Sequence, residues 1–302
     1  MTSSLESERE GFLASLFLER RLSPNTCAAY RRDLDSFFAF LGKRGIRAPA
    51  EVVREDVVSF LAAERARGLI GSTRKRRTAA IRSFFRYLLQ RHKIPSDPTE
   101  LMEPAKKSFP LPRVLSQEEV VSILAAMEGD DPRTVRDRAI VEVLYGCGMR
   151  VSELCDFSLD DVVSDGELVR ILGKGSKVRL VPIGKSAGRA LGAYLATARA
   201  AFSRADVSER HVFLSRLGKP MTRQGVFKIV RERAVAAGIA AERISPHVLR
   251  HCFASHMLQN GADVRFIQEL LGHADVGTTQ IYTHVDTARF SELHRRFHPR
   301  AE

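Results

Sequence analysis

The sequence predicts a mainly α-helical chain of two domains, with a small antiparallel sheet confined to the second. Three observations predict it. Apolar residues recur at helical spacing through the first hundred positions, a proline-dense basic stretch follows, and one glycine-tipped pair of strand-like runs interrupts an otherwise helical remainder. At 302 residues and 33.7 kDa the chain has length for two cores, and 44% hydrophobic residues excludes a disordered chain.

In the first part, Ser23 reads as an N-cap and Pro24 as the first helical residue. Tyr30, Leu34, Phe37, Phe38 and Leu41 then recur at helical spacing until Gly42. A later helix begins near Ser72, and its buried stripe is Ile81, Phe84, Phe85, Leu88 and Leu89. Its first turns carry Arg74, Lys75, Arg76 and Arg77, four cations where the macrodipole disfavours positive charge. A phosphate backbone would remove that conflict; a solvated basic face is the plainer alternative. The expectation is DNA contact.

Pro95, Pro98, Pro104, Pro110 and Pro112 break both helix and strand, with Lys106 and Lys107 among them. This sets the expected organisation: an N-terminal domain over 1–104, a linker over 105–112 and a C-terminal domain over 113–302. The second domain opens on Ser116-Gln117-Glu118-Glu119, a capping box, and a helix through Met127. Another helix spans about Thr134 to Tyr145 and stops at Gly146 and Gly148. Residues 167–172 and 177–182 read as a β-hairpin around Gly173-Lys174-Gly175-Ser176. Beyond Lys185 the chain reads as helical, with a short strand-like run at Val212, Phe213 and Leu214.

The charge narrows the function. Lys and Arg number 48 against 36 Asp and Glu, a net of +12 with a pI near 10.0, the footprint of a nucleic-acid binder. Residues 1–108 hold 21 of those cations and 13 of the acids, so the smaller part is denser in positive charge, as a DNA clamp requires. The N-terminus is polar and acidic, no apolar run approaches bilayer length, and the four cysteines lack metal-ligand spacing. These features predict a cytoplasmic protein without membrane insertion, its thiols reduced and mostly buried.

Tyr282 lies in Gly277-Thr278-Thr279-Gln280-Ile281-Tyr282, behind a set of His and Arg residues. A phenol of pKa about 10 is ionised in only about one molecule in a thousand at pH 7. Attack on a phosphodiester therefore needs cations for the non-bridging oxygens and an acid for the leaving oxygen. His247 and Arg250, three apart on a helix capped by Ser245 and opened by Pro246, share one face. Arg150 follows the Gly146–Gly148 break, where pairing with Glu153 is its structural alternative. Lys174 sits at the hairpin tip and His273 follows a Leu-Gly turn. Each is weak alone. Asp156, Asp160, Asp161, Asp165 and Glu167 raise a metal-dependent nuclease, but they fall where a helix end and turn expose acids anyway. No cofactor and no metal are expected.

Together and in order, Arg150 in Gly-x-Arg-Val-Ser-Glu-Leu, Lys174, His247-x-x-Arg250, Leu271-Gly272-His273 and Tyr282 resemble the six-residue signature of the tyrosine site-specific recombinases, the phage integrase family. The resemblance covers nearly the whole chain and narrows to the bacterial Xer recombinases; the ending Leu293 to Arg300 looks more like the XerD branch than the XerC branch. It implies a SAM-like core-binding bundle followed by a mixed α/β catalytic domain, closing as a clamp on double-stranded DNA. It further implies a 3′-phosphotyrosyl link at Tyr282, with Arg150, Arg250 and His273 on the non-bridging oxygens, Lys174 as acid and His247 assisting the tyrosine proton. Implied too are a Holliday junction, a dif-like site, a XerC-like paralogue in a heterotetramer, and activation by an FtsK-type translocase. The helix from Asp286 to His298 resembles the family's C-terminal helix, which docks on a neighbouring protomer; folding back on its own core is the alternative.

Overall fold

The computed structural model describes residues 4–19, 22–69, 71–100, 102, 114–163, 167–173, 178–204, 210–272 and 284–302, with backbone alone at 72 and 284–287. The chain divides into two compact units, Met1–Ser108 and Phe109–Glu302. The linker expected over 105–112 lies outside the described residues.

The first unit contains α1 (Leu5–Leu18), α2 (Pro24–Gly42), α3 (Arg54–Ala66) and α4 (Gly71–Gln90). α2 starts where the Ser-Pro pair directs it, the Ser23 side chain accepting from the Thr26 amide. The core is aromatic. Phe37 meets Phe60 at 5.1 Å between ring centroids, Phe12 meets Phe84 at 5.6 Å and Phe38 meets Phe84 at 5.5 Å. Each ring is buried, and each contributes about 1.5–3 kcal/mol by leaving water. Helices of the kind that carry Arg74–Arg77 are thus fixed by their apolar faces.

The second unit runs α5 (Gln117–Ala125), α6 (Pro132–Gly146), α7 (Val151–Asp156), β1 (Val162–Val163), β2 (Leu168–Leu172), β3 (Val178–Pro182), α8 (Lys185–Ala193), α9 (Arg223–Ala236), α10 (Pro246–Gln259), α11 (Val264–Leu271) and α12 (His284–Phe297). The capping box at Ser116 and Glu119 opens α5, which ends two residues before the expected Met127. The hairpin is antiparallel with Val169 opposite Val181, and a short third strand, β1, pairs with β2. Two residues carry too little periodicity to show such a strand in sequence. Val212–Leu214 forms no strand: it holds one isolated bridge, Leu214 with Pro220, and another, Ser158 with His211, precedes it. Val212, Phe213 and Leu214 instead sit in the hydrophobic core.

α6 is the central helix, buried around nearly its whole circumference and flanked by α8 and α10. α12 packs on its own unit. Phe290 meets Phe266 at 5.4 Å, His294 Nε2 donates to the Gly146 carbonyl at 2.9 Å, and the Lys185 amide donates to the Ala301 carbonyl at 2.9 Å. Phe290, Leu293 and Phe297 of this helix pack against the core of the unit. Among the described residues, no helix is long and apolar enough to cross a membrane. Cys147, Cys155 and Cys252 are buried and Cys27 is half-buried, all four as free thiols.

Candidate active site

The end of α6 begins the site. Gly148 takes φ +58, and a Cβ there would lie 2.7 Å from Phe253 Cδ1, so only glycine lets the chain turn here. The turn delivers Arg150 as the N-cap of α7. Its amide donates to Glu153 Oε2 at 2.8 Å and its Nη1 to Glu153 Oε1 at 2.8 Å. The side chain is still 38% exposed, so the guanidinium keeps a face toward solvent.

α10 delivers the second arginine. Ser245 caps the helix by accepting from the Val248 amide, with Pro246 at its first position. Arg250 Nη1 donates to the Gly148 carbonyl at 2.6 Å and Nη2 to the Leu271 carbonyl at 2.6 Å. Its Nη1 also stands 3.7 Å from Glu153 Oε2. Arg250 thus ties the Gly148 turn to the end of α11, where Gly272 closes the helix at φ +65. Burial and then the Arg150 charge push Arg250 down to about 10, which leaves it cationic at neutral pH.

His247, one turn before Arg250, packs edge-on to Phe227 at 6.0 Å. Burial, then His251, Arg250 and Arg150, lower its pKa, so the imidazole is neutral at pH 7 and able to accept a proton. It faces a cavity of about 670 Å³ lined also by Val151, Arg223, Gln224, Phe227, Lys228, Arg231 and Glu232. A groove with four cationic or imidazole side chains and one carboxylate suits an anionic ligand.

The structure therefore brings Arg150, His247 and Arg250 together. Lys174, His273 and Tyr282 lie outside the described residues, although Lys174 falls between β2 and β3 in sequence and His273 directly follows Gly272. Two participants were not legible as such. Glu153 figured only as a structural partner for Arg150, yet its buried carboxylate joins three arginines. Burial would raise its pKa, but the Arg179 hydrogen bonds and charge, with those of Arg150, outweigh it and hold the carboxyl low. Arg179 was missed entirely. The alternation of β3 places it inward with Val181, and a charge on a buried strand face is the signal that could have found it.

At the basic start of α4, Arg76 and Arg77 have internal partners. Arg76 Nη1 donates to Asp33 Oδ2 at 2.5 Å, and Arg77 pairs with Glu64 and donates to Ser36 Oγ at 2.9 Å. Asp33 and Glu64 are 1% exposed, so these two cations are also internal counter-ions. Burial nonetheless raises the Asp33 pKa against the pull of Arg76 and Arg77. Among the acids weighed as metal ligands, Asp160 pairs with Arg210 and Asp161 bonds Arg170 Nε at 2.9 Å.

Residues 113–289 match the phage integrase family, and residues 10–92 match the phage integrase N-terminal SAM-like domain. A tyrosine recombinase XerD from Listeria monocytogenes is 42% identical over 293 residues, covering 97% of this chain and 98% of that protein. Another XerD, from Pseudomonas aeruginosa, is 44% identical over 289 residues, covering 96% of each. The crystal structure of XerH site-specific recombinase bound to difH substrate, a pre-cleavage complex, is 25% identical with a TM-score of 0.65, covering 88% of this chain and 78% of that one.

Proposed function

The chain belongs to the phage integrase family of tyrosine recombinases, and on that premise we propose that it exchanges DNA strands at a dif-like site with Tyr282 as nucleophile. As a family member it catalyses DNA cleavage and strand rejoining. The observation that carries the proposal is the convergence of Arg150 and Arg250 on one buried carboxylate beside a neutral His247.

Tyr282 attacks the scissile phosphorus, forming a Tyr Oη–P bond as the P–O5′ bond breaks. His247 assists removal of the phenolic proton, and Lys174 gives a proton to the departing 5′-oxygen. Arg150, Arg250 and His273 hold the non-bridging oxygens while charge builds, each well-placed donor contributing about 3–4 kcal/mol. The phosphotyrosyl bond stores the energy of the broken linkage. Attack by a partner strand's 5′-hydroxyl then reverses the step without a nucleotide cofactor or metal, and paired exchanges pass through a Holliday junction.

The N-terminal part, 1–104, and the catalytic part, 113–302, close around the duplex through the linker 105–112, with Arg74, Lys75, Arg76 and Arg77 facing DNA. Four protomers act on two sites, this chain beside a XerC-like paralogue, switched on by an FtsK-type translocase. The role is resolution of chromosome dimers in the cytoplasm during cell division. The XerD relatives and the difH-bound XerH structure support this reading.

A nicked suicide substrate carrying a dif-like site tests it. Wild-type protein should form a covalent DNA complex in EDTA, and Tyr282→Phe should form none. Trapping that persists in the mutant would sink the nucleophile assignment; a complex that needs a divalent cation would point to metal chemistry instead.

A further inference from the structure

Arg179 occupies the second position of β3, on the strand's buried face, and is 5% exposed. A guanidinium in such a place is retained only where its donors are matched. Here Nε donates to the Leu270 carbonyl at 2.8 Å, Nη1 to Glu153 Oε1 at 3.1 Å and Nη2 to Glu153 Oε2 at 2.8 Å. One planar group thereby joins β3, α7 and the end of α11. The fit is close on the α11 side, since a Cβ on Gly272 would lie 3.1 Å from Arg179 Cδ and 3.2 Å from its Nη1.

On the α7 side the consequence concerns Glu153. A carboxylate offers about four acceptor directions. The Arg150 amide, Arg150 Nη1 and the two Arg179 donors occupy that number. Arg250 Nη1, 3.7 Å from Glu153 Oε2, is left bonded to the Gly148 carbonyl instead. Without the Arg179 fork the carboxylate would have two vacant directions and a strong donor next to it. It would turn toward Arg250, loosening both arginines at once.

We infer that Arg179 is a positioning residue for the phosphate clamp: its buried fork holds Glu153 so that the carboxylate orients Arg150 and does not draw Arg250 off the Gly148 and Leu271 carbonyls. The inference rests on the reading of Arg150 and Arg250 as phosphate holders. A lysine would keep the charge but lose the planar two-point grip.

Single-turnover cleavage of the nicked suicide substrate by the full chain tests this with Arg179→Met and Arg179→Lys. Each is also run on a substrate whose scissile phosphate carries a methyl group in place of one non-bridging oxygen. That methylphosphonate is neutral, so less anionic charge develops and an arginine clamp contributes less. On the phosphodiester, Arg179→Met should cleave at least about tenfold more slowly at saturating protein, the scale of a modest misplacement. Arg179→Lys should fall between it and the wild type, and DNA affinity should stay within about twofold of wild type for both. On the methylphosphonate the deficit of each variant relative to wild type should shrink to about threefold or less.

A deficit equal on both substrates would show that Arg179 serves the fold rather than the clamp and would overturn the inference, as would wild-type rates in Arg179→Met. Thermal melting identifies a methionine variant that does not fold, in which case the lysine variant carries the same comparison. A wild-type chain that fails to trap DNA through Tyr282 would instead defeat the recombination reading itself, an outcome separate from either of these.

Discussion

Acidification should destabilise the second unit through His294. This residue and His298 are buried with rings stacked 4.8 Å apart, between Phe253 and the Tyr145 ring. The facing groups are Tyr145 and the Glu142–Arg300 pair, with His256 on α10 bonded to the Tyr145 hydroxyl at 2.7 Å. Burial lowers His294 from its ordinary 6.5 to about 4, and the Gly146 hydrogen bond only partly offsets this. Burial, and then the neighbouring His294, also hold His298 well below its ordinary value. Because both folded values lie below the unfolded one, the unfolded chain binds more protons as pH falls from about 6.5 toward 4. Stability is full above that window and is lost within it. Between those two values His294 contributes a slope of about 1.4 kcal/mol per pH unit, about 3 kcal/mol in all. Between pH 6.5 and 5 His294 alone should remove about 1.5 kcal/mol, and His298 adds a loss in the same direction. Urea unfolding followed by far-UV circular dichroism at pH 7, 6 and 5 would measure it. His294→Gln can still donate to the Gly146 carbonyl but cannot charge, so its pH slope should be lower by about 1.4 kcal/mol per unit. His247 and His256 are also lowered and titrate in the same direction, but they are common to both proteins and drop out of the difference. Identical slopes in variant and wild type would refute the assignment.

Three further outcomes follow from the packing of each unit. Arg77→Ala leaves Asp33 and Glu64 short of a buried counter-ion and should destabilise the first unit by about 3 kcal/mol or more in thermal or urea unfolding. Arg74→Ala should change stability by less than about 0.5 kcal/mol, while lowering the log–log salt slope of DNA binding by about 0.9 if it holds one phosphate. Gly148→Ala places a methyl 2.7 Å from the Phe253 ring and requires φ +58 of an alanine. It should destabilise by about 1–3 kcal/mol and slow suicide-substrate cleavage out of proportion to DNA affinity, because the turn sets Arg150; unaltered cleavage would separate the turn from the site.

Most of the helical scaffold was legible because its signals are local. Ser23-Pro24, the box at Ser116 and Glu119, and Ser245-Pro246 each satisfy orphan amides within one turn, and the structure places a helix start at each. Val212–Leu214 misled for the opposite reason. Three apolar residues in a row fit a strand or any core-filling loop equally well, and the core of the second unit uses them as the latter. The four cations at the start of α4 were read from the helix dipole and an external phosphate. The structure adds a cause that periodicity cannot show: Asp33 and Glu64 arrive from α2 and α3, over 40 and 13 residues distant from Arg76 and Arg77. Buried tertiary pairing of this kind has no local signature.

The same limit explains why Glu153 looked like a competitor for Arg150, whereas on the proposed reading it orients that arginine. Pairing and phosphate binding seemed alternatives because a salt bridge was counted as consuming a whole cation. A guanidinium has five donors, and Glu153 takes only the Nη1 edge of Arg150, leaving a side chain 38% exposed. An arginine held this way loses less conformational freedom on meeting a phosphate than one free in solvent. Arg150, Arg250 and Arg179 also place three positive charges around one negative charge, a net of +2. Without the carboxylate the three would repel one another in a partly dry site; with it they can be assembled before DNA arrives. On the proposed mechanism a phosphodiester under attack by a phenolate approaches two negative charges, so the preformed excess would match the charge that develops rather than the charge of the ground state, which is where electrostatic catalysis is strongest.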